Sequence, residues 1–236
     1  MESRSRAAAA GAVAIFLAVM MAGSAEAGDH NAVFSPCDDA TVRRRDGFSF
    51  GIAFSNLNSF YVNQNRTLQL SPCDNRLSLS SRGAQLVVFR PKVDEITLLT
   101  VNTTTNPSIN DTVGYMVAFA GRKYAARSFP ILVRNSSYAI TSFTLILEFH
   151  KGTLQNLYWK TDCSACSGSS SKVCLDQGCA NRASDCSHQD CSIGIQLAFS
   201  GTDKHEVPLN SWYEVSNLQQ YSLYGLYSNL KALIPS

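Results

Sequence analysis

A chain of 236 residues that is 45% hydrophobic, 10% aromatic and only 16% charged can bury a core, which excludes wholesale disorder. Its 20 basic and 18 acidic side chains leave a net charge of +2, without the strongly basic footprint that nucleic-acid binding requires. Eight cysteines are many for a reducing compartment, so the address of the chain is the first question.

Residues 1–27 read as a cleaved secretory signal, with Arg4 and Arg6 at the start, an apolar run from Ala7 to Met21, and small residues up to Ala25-Glu26-Ala27. The run is shorter than the ~20 residues of a spanning helix, so export with a mature start near Gly28 is expected. No later stretch reaches membrane length, and the tail 223–236 lacks the unbroken hydrophobic end of a lipid-anchor signal. No membrane span is therefore expected after cleavage.

Along the mature chain, Phe48, Phe50, Ile52 and Phe54 alternate with Ser49, Gly51 and Ala53, the period of a strand. The segments 57–62, 86–89, 96–101, 113–119, 131–133, 141–149, 154–159 and 193–199 extend the series to about nine strands, separated by turn residues. Amphipathic helices do not intervene, which predicts a mainly β protein, an antiparallel sandwich or a barrel-like closure. The helical spacing of Leu223, Tyr227, Leu230 and Ile234 predicts one short helix at the C-terminus. Residues 28–160 and 193–236 form a single β-rich domain on this reading. The segment 161–192 interrupts it with six cysteines and, as its only large aliphatics, Val173 and Leu175, so its order must come from cross-links.

The cysteines are Cys37, Cys73, Cys163, Cys166, Cys174, Cys179, Cys186 and Cys191, an even number behind an export signal, and four disulfides follow. Cys37 and Cys73 each sit in Ser-Pro-Cys-Asp, far from the cluster, and are expected to pair; the other six leave their connectivity open. Cys163-x-x-Cys166 has a zinc-like spacing and His188 lies close to Cys186 and Cys191 in sequence, but a second such knuckle is missing and the compartment oxidises thiols. A redox role lacks its βαβ context. No metal or cofactor is expected. Four sequons, at Asn65, Asn102, Asn110 and Asn135, lie in polar stretches where a glycan would meet solvent; Pro107 disqualifies Asn106.

Gly47-Phe48-Ser49-Phe50-Gly51 matches the G-x-S-x-G nucleophile elbow, yet the motif runs on in strand alternation where an elbow needs a following helix. The acid pairs Asp38-Asp39 and Asp94-Glu95 consist of strand neighbours, which point to opposite faces and do not converge on one bond. Arg43-Arg44-Arg45 reads as a solvated turn or strand edge. No catalytic residue is assigned. Trp159, Trp212 and Tyr213, with Tyr158, Tyr221, Tyr224 and Tyr227, are candidates for a surface on which sugar rings stack, although core packing and edge anchoring explain the same residues without any ligand and are the favoured reading.

Ser35-Pro36-Cys37-Asp38-Asp39, the 48–54 strand and the cysteine cluster from Cys163 to Cys191 together resemble a family of secreted plant proteins labelled Expp-like. The resemblance implies an extracellular protein of the apoplast or cell wall and carries over no catalytic residue, ligand or fold. The expected function is a secreted binding or structural protein whose ligand is a cell-wall glycan or another protein. The alternative is a secreted hydrolase whose site is assembled from residues distant in sequence.

Overall fold

The computed structural model describes residues 28–62, 65–73, 83–101, 114–122, 126–161, 163, 166, 172–176, 178–187 and 191–214. The signal segment, the helix predicted within 223–234, the tyrosines 221, 224 and 227, His188, Asn102 and Asn110 lie outside them. In chain order the strands are β1 (Phe50–Ser55), β2 (Gln85–Phe89), β3 (Thr97–Val101), β4 (Tyr115–Ala120), β5 (Ala126–Arg127), β6 (Ile131–Leu132), β7 (Tyr138–Ile140), β8 (Ser142–His150), β9 (Thr153–Lys160), β10 (Lys172–Leu175), β11 (Gly178–Arg182) and β12 (Ile193–Gly201). One sheet has the order β2-β1-β4-β5, with β6 also on β4; a second has β3-β12-β8-β9; a small third has β10-β11-β7.

The protein is mainly β, and period 2 explains the core. Phe50, Ile52 and Phe54 of β1, Leu145, Leu147 and Phe149 of β8, and Ile193, Ile195, Leu197 and Phe199 of β12 belong to one buried cluster between the two large sheets. Burial of each such side chain contributes about 1.5–3 kcal/mol against chain entropy. Phe48 meets Phe149 edge to face at 5.1 Å. The pairings are antiparallel except one: β12 runs parallel to β8, with Ile195 opposite Phe143 and Phe199 opposite Leu147. The reason is the route of the chain, which leaves β9 at Lys160, passes through the cysteine-rich segment, and re-enters on the far side of β8.

The expected strand at 57–62 is instead a 3-10 turn, Leu57–Phe60. Asn56 caps it by accepting the Ser59 N–H through its side chain at 3.1 Å, an alternative to a sheet ladder that asparagine supplies readily. The turn drops Phe60 onto the back of β1 and β4, where Ala53, Leu70, Val117, Phe119 and Cys73 form a second apolar cluster. Cys37–Cys73 closes over this cluster, as expected. The double variant Cys37→Ser/Cys73→Ser should lose about 2–4 kcal/mol, read as a lower urea midpoint at an unchanged slope. An unchanged midpoint would mean that the bond constrains nothing.

The cysteine-rich segment has more structure than cross-links alone. Cys163 pairs with Cys174, Cys166 with Cys179, and Cys186 with Cys191. Cys174 and Cys179 face each other across the β10–β11 hairpin, so both halves of Cys163-x-x-Cys166 are fastened to one hairpin. The hairpin in turn adds to β7, with Ala180 opposite Ile140, and Ala180 is fully buried in the main core. Gly178 permits the contact: a Cβ there would lie 2.9 Å from Ile140 Cδ1.

Candidate ligand-binding face

Strand alternation splits the aromatic pair on β9. Trp159 stands opposite Leu145 and turns inward, packing against the main core and meeting Phe143 edge-on at 5.9 Å. Tyr158 stands opposite Ile146 and turns outward, 37% exposed. The expectation that Trp159 belongs to a stacking surface therefore meets a different placement, because neighbours on a strand occupy opposite faces. A residue that sequence reasoning missed, Lys160, follows on the outward side with Thr144 opposite it.

Trp212 reaches the same outer face by another route. Beyond Thr97, the first residue of β3, the free edge of β12 is taken over by Ser211: its Oγ accepts the Phe199 N–H at 2.8 Å. Asp94 holds this corner from the other side, where Oδ1 accepts the N–H groups of Asn210 and Ser211 at 2.7 and 2.8 Å while Oδ2 pairs with Arg44 Nε at 2.7 Å. The helical turn at 211–214 then lays Trp212 over Ile146 and Ala198. Lys160 Nζ stands 4.2 Å from the centroid of the Trp212 ring. An exposed cation–π contact of this kind contributes about 0.5–1 kcal/mol, so the ammonium can be drawn off at small cost. Tyr213, on the same turn, is 69% exposed.

The outer face of the β3-β12-β8-β9 sheet thus presents Tyr158, Lys160 and Trp212 among the strand polar groups Thr144, Glu148, Gln196 and Asn156. Burial, and then the negative charge of Glu148, raise the Tyr158 phenol above its ordinary 10.0, which keeps it a hydrogen-bond donor through the neutral range. Flat aromatic surface beside donors and acceptors is the chemistry that receives a hydroxyl-rich ring.

The loop that leads to Trp212 has its own electrostatic tie. Burial opposes ionisation of Asp203, but the N–H groups of Arg44, Val207 and His205 and the charge of His205 outweigh it and hold its carboxyl below 3.8. A depressed folded value stabilises the protein above about pH 3.8 and loses that contribution as pH falls through the folded value. Asp203→Asn should therefore flatten the acid limb of the stability profile; an identical acid midpoint in the variant would count against the tie.

The other sequence candidates have structural employment. Ser49 is buried; its Oγ accepts from Arg90 Nη1 at 2.9 Å and donates to the Val33 carbonyl at 3.4 Å, and neither partner is a base. Both motif glycines make room: a Cβ on Gly51 would lie 2.2 Å from Phe119 Cζ, and one on Gly47 would lie 2.7 Å from Asp29 Oδ2 of the Asp29–Arg90 pair. Asp38 and Asp39 border a shallow hollow that holds roughly one water. Asp94 is buried as described, while Glu95 is exposed. Arg44 serves Asp94, and the N–H of Arg45 donates to the Val93 carbonyl, so the basic run is a fixed turn. Asn65 and Asn135 are exposed; Asn135 Oδ1 accepts the N–H groups of Ser137 and Tyr138. Among the described residues no three His, Cys, Asp or Glu side chains gather to hold a metal ion, and no helix is long and apolar enough to cross a membrane.

A family model described as Uncharacterised protein DDB_G0273449 matches residues 10–139 and, in a second segment, 130–231. No curated protein and no solved structure matches the chain.

Proposed function

The chain belongs to the Uncharacterised protein DDB_G0273449 family, and from the geometry of its outer sheet face we propose that it is a secreted, extracellular binding module whose ligand, a cell-wall glycan, lies on the outer face of the β3-β12-β8-β9 sheet. The observation that carries this reading is the grouping of Tyr158, Lys160 and Trp212 on one outward sheet face with polar side chains around them. Four disulfides are the chemistry of an oxidising compartment and support the extracellular address. The resemblance to Expp-like plant proteins supports the apoplast or cell wall as that address, and the exposed sequon residues Asn65 and Asn135 are where N-glycans fit it. The hydrolase alternative has less behind it, since Ser49 is committed to Val33 and Arg90.

The test is binding of the secreted chain to immobilised cell-wall polysaccharides. Trp212→Ala and Tyr158→Ala should each weaken binding about tenfold, or ~1.4 kcal/mol. Trp159→Ala should bind normally and lose about 2 kcal/mol of stability, since its ring supports the core from a half-buried position. The reading fails if no polysaccharide is retained, or if retention is indifferent to both outward aromatics.

A further inference from the structure

Trp212 packs on Ile146 and Ala198, and the Lys160 ammonium stands over its ring, 4.2 Å from the centroid. A sugar ring that stacks on the face that Lys160 occupies must displace that ammonium. For a neutral chain the move exchanges one contact for another with nothing to receive the charge. For a chain with carboxylates, the ammonium finds an oxyanion as it leaves the ring, and the two events assist each other.

The charges around Lys160 favour such a ligand. The ion pairs Arg44–Asp94, Arg90–Asp29 and Lys151–Glu206 do not involve it, and among the described residues its charge is met by the ring alone. Glu148, the acid on the same face, stands opposite Asn156, four residues along β9 from Lys160. At about 3.3 Å per residue the two backbone positions are roughly 13 Å apart along the strand, and Lys160 and Glu148 form none of the ion pairs among the described residues. Glu214 lies two positions after Trp212 on a helical turn, and residues so spaced do not share a face. We infer that Lys160 makes this face selective for uronate-bearing polysaccharides over neutral ones of the same backbone, an inference that rests on the glycan reading of the face.

Polygalacturonate and its fully methyl-esterified form are matched probes, since they differ in charge and share the chain. The secreted protein should bind the acid form about three- to fivefold more tightly at low salt, the range of one exposed ion pair. The difference should vanish at ~1 M salt, where the screening length falls to about 3 Å. Lys160→Met keeps the apolar stem over Trp212 and removes the charge; it should bind both probes within about twofold of each other, while Trp212→Ala should weaken binding of both about tenfold. Equal binding of the two probes by the unaltered protein, or an acid preference that persists in Lys160→Met, would overturn the selector role and leave the glycan reading standing. Failure to bind either probe with retention of a neutral polysaccharide would do the same. Failure to bind any polysaccharide would overturn both.

Discussion

Asp94→Ala is expected to lower the unfolding free energy by about 3–5 kcal/mol and to weaken ligand binding with it. The Asp94 side chain is 1% exposed; its Oδ1 accepts the N–H groups of Asn210 and Ser211, and its Oδ2 forms an ion pair with the guanidinium of Arg44. Removing the carboxylate leaves two backbone N–H groups unmet at the base of the turn that holds Trp212, along with an arginine that loses its partner. Asp94→Asn separates charge from geometry: it retains an acceptor for the two N–H groups and should recover part of the stability, while the pair with Arg44 is gone. The measurement is the urea midpoint of each variant together with its affinity for an immobilised polysaccharide. A drop below about 1 kcal/mol for the alanine variant would show that water replaces the carboxylate without cost, and the account of this corner would be wrong.

Gly201→Val should be of similar size, about 3–6 kcal/mol, for a different reason. Gly201 closes β12 with φ +89°, a conformation that L side chains rarely adopt, and a Cβ there would lie 1.8 Å from the carbonyl oxygen of Phe149. That oxygen is main chain of the interior strand β8, so it cannot move aside as a side chain would. Phe149 is also the residue that β12 pairs with at Gly201, which means that relief of the clash opens the parallel β8–β12 ladder at its end. The expected result is a variant that accumulates poorly on expression and unfolds at a much lower midpoint. Gly51→Ala meets the Phe119 ring, which is a side chain, and should cost less. Equal losses at the two glycines would argue that the backbone collision is relieved by a route the static structure does not suggest.

How much of this was legible beforehand depended on whether the signal was local. The alternation at Phe50, Ile52 and Phe54 and at Phe143, Leu145 and Leu147 marked strands, because successive residues of a strand take opposite faces; β8 has one face largely buried, while β1 is buried on both, with its large side chains on one and small ones on the other. The match of Cys37 with Cys73 was legible from their shared Ser-Pro-Cys-Asp context. The run 57–62 misled, since a short apolar segment does not distinguish a strand from a tight turn, and the acceptor side chain of Asn56 tipped the balance. The G-x-S-x-G match was discounted from its strand context alone, and its glycines serve close packing.

By itself, then, the amino-acid sequence determined the all-β character and the disulfide chemistry of the chain, because both rest on spacing and on residue types that act within a few positions of one another. Only the tertiary structure decided the site. Tyr158 and Trp159 are equally aromatic, and period 2 says that they face opposite ways without saying which face is covered; the packing of β9 against the core settles that Trp159 goes in. Trp212 joins Tyr158 and Lys160 because Asp94 holds the N–H groups of residues 116 and 117 positions further along the chain. A hydrogen bond across that separation leaves no periodicity to read, since its partners become neighbours only when the sheets have closed.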